Sequence, residues 1–131
     1  MNKGKELVLF YTPQVTERTS KLKGIFVRLG IRIKNITADQ MKEKVGYLAG
    51  MDGFGPCPPE EEPETGVPDR EMLVMKNFTS PRIDELLLAI RKAGLAKIEL
   101  KAVVTPTNAD WPLYRLYQEI EKEHEEMTKG K

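Results

Sequence analysis

Short apolar stretches along the chain predict four β-strands. Residues 7–11 are continuously apolar and residues 71–75 nearly so, which is typical of strands that are covered on both faces of a sheet. Residues 31–36 alternate apolar and polar side chains, and so does the segment that ends at Val104. Alternation is typical of strands with one solvated face. We therefore predict that the first and third strands are central and that the second and fourth are at the edges.

Amphipathic helices are predicted after each strand. Thr12 and Pro13 fit the N-cap and the first position of the first helix, and Ser80 and Pro81 fit the same positions of the third. A glycine follows the last apolar position of both helices, as in a left-handed C-cap. The same order of strand, cap, helix, glycine and strand thus occurs twice, in residues 7–36 and 72–104.

The second and fourth helices are predicted from different signals. Thr37 and Gln40 have the spacing of a capping box, which predicts a shorter helix that ends near Gly50. The last helix is predicted from apolar side chains at helical spacing, namely Leu113, Leu116, Tyr117, Ile120 and Met127.

Strand and helix alternation predicts a single α/β domain over residues 1–131. The sheet would be four-stranded and mostly parallel, in the order 2-1-3-4, with helices on both faces and two βαβ-like halves. A ferredoxin-like α+β plait, with all helices on one face, would satisfy the same apolar pattern. Residues 50–70 are rich in glycine, proline and acidic side chains, which predicts a long loop between the halves.

Composition excludes several classes of function. The 21 basic and 20 acidic residues give a net charge of +1 and are interleaved, so the chain lacks the basic surface that nucleic-acid binding requires. No apolar run approaches the length of a membrane span or of a signal-peptide core. We expect a cytoplasmic protein without nucleic-acid or membrane partners.

The chain has few residues for metal or thiol chemistry. Cys57 is the single cysteine and His124 the single histidine, so we expect no disulfide, no metal site and no cofactor. Glutamates follow Cys57 closely and would raise the pKa of its thiol rather than lower it. A thiol-dependent activity through Cys57 is nevertheless kept as an alternative function.

Hydroxyl and amide side chains follow every predicted strand. In a parallel sheet these strand-to-helix loops meet at one edge, where helix N-termini favour anions. No glycine-rich phosphate-binding motif or nucleophile elbow is present. We therefore predict non-enzymatic binding of a small anionic ligand, with no catalytic residues, by Thr12, Thr37, Thr79, Ser80, Thr105, Thr107, Asn108 and Trp111. The alternative is a homodimer or protein-interaction module that uses the aromatic last helix or an edge strand.

The carboxyl-terminal half resembles a known sequence family. The segment Leu100-Lys-Ala-Val-Val-Thr-Pro-Thr-Asn108, with Trp111 and the Glu123-His124 pair, is similar to small bacterial proteins, mostly from anaerobic Firmicutes, that share a domain of unknown function. The resemblance covers about the last 60 residues well and the first half more loosely. It implies a bacterial cytoplasmic origin and no established chemistry.

Overall fold

The structure is a computed structural model that describes residues 6–56 and 69–129. The first half contains β1 (Leu7–Tyr11), α1 (Glu17–Arg28), β2 (Arg32–Ile36), a 3-10 helix (Ala38–Lys42) and α2 (Val45–Leu48). The second half contains β3 (Met72–Lys76), α3 (Ser80–Lys92), β4 (Leu100–Val103), a second 3-10 helix (Asn108–Asp110) and α4 (Leu113–Lys129). Cys57, most of the predicted 50–70 loop and the side chain of Met127 lie outside the described part.

The four strands form one sheet in the predicted order, β2-β1-β3-β4. β1 pairs with β2 and β3 pairs with β4 in parallel, whereas β1 and β3 are antiparallel. The mostly parallel sheet is therefore confirmed, and its two parallel pairs run in opposite directions. Ile36, the last residue of β2, and Met72, the first residue of β3, both pair with Tyr11, so the chain leaves the first half and enters the second at the same end of the sheet.

Helices cover both faces of the sheet. On one face, α1 and α3 enclose a core that contains Phe10, Phe26 and Leu86. On the other face, α4, α2 and the first 3-10 helix enclose a core that contains Leu9 and Leu116. The ferredoxin-like alternative, which needs all helices on one face, is therefore wrong.

The first helix begins four residues later than predicted. Its N-cap is Thr16, whose side chain forms a capping box with Thr19, so the predicted N-cap at Thr12 is wrong. Thr16 is the better cap because the hydroxyl of Thr19, at the third helical position, accepts a hydrogen bond from the Thr16 backbone N–H at 3.0 Å. Val15 consequently lies before the helix and is 78% exposed.

The other helix starts are closer to the predictions. The N-cap of α3 is Thr79, whose hydroxyl accepts from the Arg82 N–H, and Ser80 is the first helical residue. The predicted capping box of Thr37 and Gln40 is confirmed, but it begins a 3-10 helix. Glu43 and Lys44 are extended and divide this helix from α2.

The two halves have the same local architecture. In both, a glycine with positive φ ends the helix between the parallel strands, at Gly30 and at Gly94. The halves also contact each other reciprocally beyond their second strands. The Val45 N–H donates to the Trp111 carbonyl, and the Leu113 N–H donates to the Glu43 carbonyl, both at 2.9 Å.

Candidate functional site

The antiparallel pairing of β1 and β3 divides the eight predicted ligand-binding residues between the two ends of the sheet. Tyr11, at the end of β1, lies opposite Met72, at the start of β3. Thr12 and Thr37 therefore follow strands that end at one edge. The other six follow strands that end at the opposite edge, namely Thr79, Ser80, Thr105, Thr107, Asn108 and Trp111. The eight do not line one common pocket, because that arrangement requires all four strands to point the same way.

Several of these polar groups are occupied by local hydrogen bonds. The Thr12 hydroxyl donates to the Gln14 carbonyl at 2.8 Å, and the Thr37 hydroxyl donates to the Asp39 carboxylate. The Thr79 hydroxyl accepts from Arg82. These contacts define turns and helix ends, which is the common role of threonine before a helix.

Asn108 is the one residue of the eight that is buried, at 7% exposure. Its side-chain oxygen accepts from the Thr105 N–H at 2.9 Å, and its amide donates to the Val103 carbonyl at 3.0 Å. The Asn108 N–H in turn donates to the Thr105 hydroxyl at 3.0 Å. Asn108 therefore closes the turn after β4 with its own side chain.

Trp111 is partly buried and packs against the core on the α4 face. The Arg115 guanidinium lies 4.2 Å from its ring centroid, within the range of a cation–π contact. Thr107 and Ser80 are exposed. The neighbourhood of Trp111 is thus a packed helix start.

A concave surface lies between α3 and β4, and we call it the α3–β4 groove. Its volume is about 480 Å³, within the usual range of small-ligand pockets. Its walls are the apolar side chains of Leu87, Leu88, Ile90 and Leu95, and its charged groups are those of Asp84, Arg91, Lys97 and Lys101.

The charges of the groove are separated along its length. Asp84 lies near the start of α3, and Arg91 lies two turns later, about 10 Å along the helix axis. Lys97 follows the helix and Lys101 is the second residue of β4, so both lie toward the end of α3. The groove therefore has three cationic side chains at one end and a carboxylate at the other.

Lys101 occupies a sheet position that points toward the α1 and α3 face. Its partner on the adjacent strand β3 is Leu73, which is fully buried in that core. In the first half, the residue paired in the same way with Val8 is Ile33, which packs against the same core. A lysine thus lies where the other half of the fold has an apolar side chain.

The Lys101 amine is held inside the groove. Its Nζ donates to the Ile98 carbonyl at 2.5 Å, and the residue is half-buried. Burial lowers the pKa of the Lys101 ammonium, and the positive charge of Lys97 lowers it further, while Glu99 acts in the opposite direction. A larger fraction of the Lys101 side chain is therefore uncharged at a given pH than for an ordinary surface lysine.

A second polar cluster lies where β3 and β4 begin. Arg70 is 3.8 Å from the carboxylates of both Glu99 and Glu121, and His124 is 3.6 Å from Glu99. Burial raises the pKa of the nearby Tyr117 hydroxyl to about 12. The contact between Arg70 and Glu121 joins α4 to the segment that precedes β3. Among residues 6–56 and 69–126, no three His, Cys, Asp or Glu side chains are grouped as a metal site would need.

The predicted interaction surface on the last helix is largely used within the chain. Leu116, Tyr117 and Ile120 are buried against the sheet. Tyr114 and Trp111 are only partly buried. The apolar side of α4 is therefore part of the core.

The sequence did not indicate the α3–β4 groove because its residues have ordinary explanations one by one. Lys101 alternates with Leu100 and Ala102, which is the ordinary pattern of a solvated strand face. Leu87 has the helical spacing of the apolar side of α3, but it is only partly buried and lines the groove. The run of three leucines at 86–88, which is wider than the apolar stripe of an amphipathic helix, was the available signal, and Leu88 is 40% exposed in the structure.

Within the described residues, no helix is long and apolar enough to cross a membrane.

Residues 71–127, less than half of the 131-residue chain, match the model of a domain of unknown function, DUF3783. No curated protein and no solved structure matches the chain. The match covers β3, α3, β4 and most of α4, so the second half of this α/β fold, which contains the α3–β4 groove, is the part that resembles that domain.

Proposed function

We propose that this protein is a binding module for a small amphipathic anion that occupies the α3–β4 groove. The observation that carries the proposal is an apolar groove whose cationic side chains gather at one end. A ligand with an apolar body and one carboxylate or phosphate group complements this surface. The apolar body would cover Leu87, Leu88 and Leu95, and the anionic group would lie near Lys97 and Lys101.

The dimensions of the groove support a ligand of moderate length. The distance of about 10 Å between the levels of Asp84 and Arg91 along α3 suits a medium-length acyl chain better than a compact anion. The carboxylate of Asp84 disfavours a second anionic group at the far end. A monoanion with one charged end is therefore the preferred class.

This proposal retains the predicted anionic ligand and places it on a different surface. The six threonine and serine hydroxyls, Asn108 and Trp111 lie on the loops at the two ends of the sheet, and a ligand contact by any of them stays a prediction. Homodimer formation and an activity through Cys57 also stay predictions. A bacterial origin and a cytoplasmic location are part of the proposal, as the resemblance of the second half implies.

The proposal is tested by titrating the full-length protein with octanoate and recording amide chemical shifts. We expect saturable shifts confined to α3, residues 95–98 and β4. Leu88→Glu should weaken octanoate binding by about tenfold or more, since it places a carboxylate beside the acyl chain, a change of about 1.4 kcal/mol. Leu88 is 40% exposed, so this substitution leaves the core intact.

The matched control is Val27→Glu, because Val27 is an exposed apolar residue on α1 outside the groove, at 69% exposure. This variant should bind octanoate as the unchanged protein does. Octylamine, which has the same chain and the opposite charge, should bind more weakly than octanoate. Equal binding of octanoate and octylamine, or equal loss in both variants, would show that the groove does not select an anion.

A further inference from the structure

The position of Lys101 in the α3–β4 groove indicates more than charge complementarity. A lysine that only attracts an anion is effective at an exposed rim, where the ammonium stays hydrated. Lys101 instead comes from the inward-facing side of β4, beside buried Leu73. Its amine therefore reaches the groove from the floor.

We propose that Lys101 is a carbonyl-reactive amine that forms a reversible imine with an apolar 2-oxo acid. The proposal rests on the proposed function for the binding step, because the acyl chain and the carboxylate would occupy the groove as octanoate does. The carboxylate of such a ligand is adjacent to its ketone. Lys97, whose charge acts on Lys101, would hold the carboxylate while Lys101 meets the ketone carbon.

The chemistry needs no group beyond the amine and the ligand. The lone pair of the Lys101 Nζ attacks the ketone carbon, the C=O π bond breaks as the C–N bond forms, and one proton moves from the nitrogen to the oxygen to give a carbinolamine. The second proton of the nitrogen then moves to the carbinolamine oxygen, the C–O bond breaks, water leaves and a C=N bond remains. The reaction is a condensation without a change of oxidation state, and water reverses it.

Two features of the groove favour this step. Only the uncharged amine is a nucleophile, and burial together with Lys97 favours that form. The Ile98 carbonyl accepts one N–H of Lys101, which fixes the nitrogen while its lone pair stays available. The other charged groups of the groove are Asp84 and Arg91 on α3, and Glu99 precedes β4.

The position in the first half of the fold provides a comparison within the same molecule. Ile33 occupies the equivalent strand position and packs against the core. The architecture therefore does not require a lysine at this point. The amine is an added feature of the second half.

The test is reductive trapping in the full-length protein. The protein is incubated with 2-oxooctanoate and cyanoborohydride at neutral pH, and modified lysines are mapped by peptide mass spectrometry. Lys92, an exposed lysine at the end of α3, is the internal reference. We expect Lys101 to be modified about tenfold faster than Lys92 or more, because binding presents the ketone at a high effective concentration.

Lys101→Arg removes the primary amine from the floor of the groove. Trapping in the groove should be abolished, whereas the modification rate of exposed Lys92 should be unchanged. Octanoate, which has no ketone, should slow the trapping of 2-oxooctanoate at Lys101 and leave Lys92 unaffected. Equal modification of Lys101 and Lys92 in a protein that binds octanoate would overturn the imine and leave the proposed function in place.

Propanal, which has neither a carboxylate nor a long chain, tests whether Lys101 is reactive in the absence of ligand binding in the groove. Preferential trapping of propanal at Lys101 in a protein that does not bind octanoate would overturn the proposed function and support the reactive amine by itself. Preferential trapping of 2-oxooctanoate over propanal at Lys101 supports both. Absence of any preference for Lys101 with either carbonyl compound overturns the inference.

Discussion

Asn108 shows how a residue that resembles a ligand-binding group can serve the fold. It is buried after an unusual Thr-Pro-Thr sequence, beside the only tryptophan. All its side-chain hydrogen bonds described above are to the backbone between Val103 and Thr105. The Asn108 amide therefore supplies hydrogen-bond partners to backbone groups at the end of β4, where the chain turns toward α4.

Asn108→Ala should lower the free energy of unfolding by about 2 kcal/mol, since it removes the two hydrogen bonds that the amide makes to the Thr105 N–H and the Val103 carbonyl, each worth about 1 kcal/mol. Urea denaturation measures the change. Asn35→Ala, at an exposed position of β2, should change stability by less than about 0.5 kcal/mol. Similar stabilities of the two alanine variants would show that the turn does not depend on the amide.

At the scale of elements, one ion pair joins three segments on the face of the sheet that α1 and α3 cover. The Arg82 guanidinium, on the first turn of α3, contacts both carboxylate oxygens of Glu6 at 2.9 and 2.8 Å, just before β1. It also donates to the Leu29 carbonyl at the end of α1. Both partners of the pair are mostly buried, with side chains 24% and 16% exposed, so solvent screens the pair less than a surface pair.

Arg82→Met should cost about 2 kcal/mol of stability, because it leaves the Glu6 carboxylate and the Leu29 carbonyl without this donor. A double-mutant cycle with Glu6→Gln should give a coupling energy of about 1 kcal/mol. Lys21→Met is the control, since Lys21 and Glu17 form an exposed pair within α1 that is worth about 0.5 kcal/mol or less. Additive effects of Arg82→Met and Glu6→Gln in thermal or urea unfolding would contradict this role.

The elements were predictable from sequence to the extent that local patterns determine them. The continuous apolar runs identified β1 and β3 as central strands because both faces of a central strand are covered. The start of α1 was not predictable in the same way. Thr12-Pro13 has the composition of a helix start, and the choice of Thr16 depends on the Thr19 side chain returning a hydrogen bond.

Strand direction and the groove required tertiary information. An apolar pattern reads the same in both directions, so residues 71–75 could not reveal that β3 runs against β1. The predicted convergence of Thr12 and Thr105 depended on that direction. Lys101 could not be recognised because its alternation with Leu100 shows that the two side chains lie on different faces of β4 but does not show that α3 leaves the face of Lys101 partly open.

At the scale of the whole molecule, the halves are joined through β1 and β3 in the centre of the sheet. Leu9 pairs with Val74 in the middle of this antiparallel ladder. A chain shortened to residues 69–131 would therefore expose β3 as an open, apolar edge. The same register would allow two copies of β3 to pair with each other about Val74.

We expect the fragment 69–131 to form dimers or larger assemblies and to lack a folded monomeric state. Light scattering at several concentrations, combined with circular dichroism, measures both properties. Replacing Val74 with proline in the fragment removes an N–H from the ladder and should abolish the assembly. A cooperatively folded monomer of this fragment would show that β1 is dispensable for the second half.

The reciprocal hydrogen bonds between residues 43–45 and 111–113 have a consequence for how the two halves diverge. Val45 to Trp111 and Leu113 to Glu43 is the exchange seen in an isologous contact, where the same surface patch occurs on both sides of a two-fold axis. In a true homodimer every substitution would occur twice. Here one covalent chain contains both halves, so equivalent positions can carry different residues. Ile33 packs against the core in the first half, whereas Lys101 occupies the equivalent position in the second half. A reactive amine can therefore be present in one half without being present in the other.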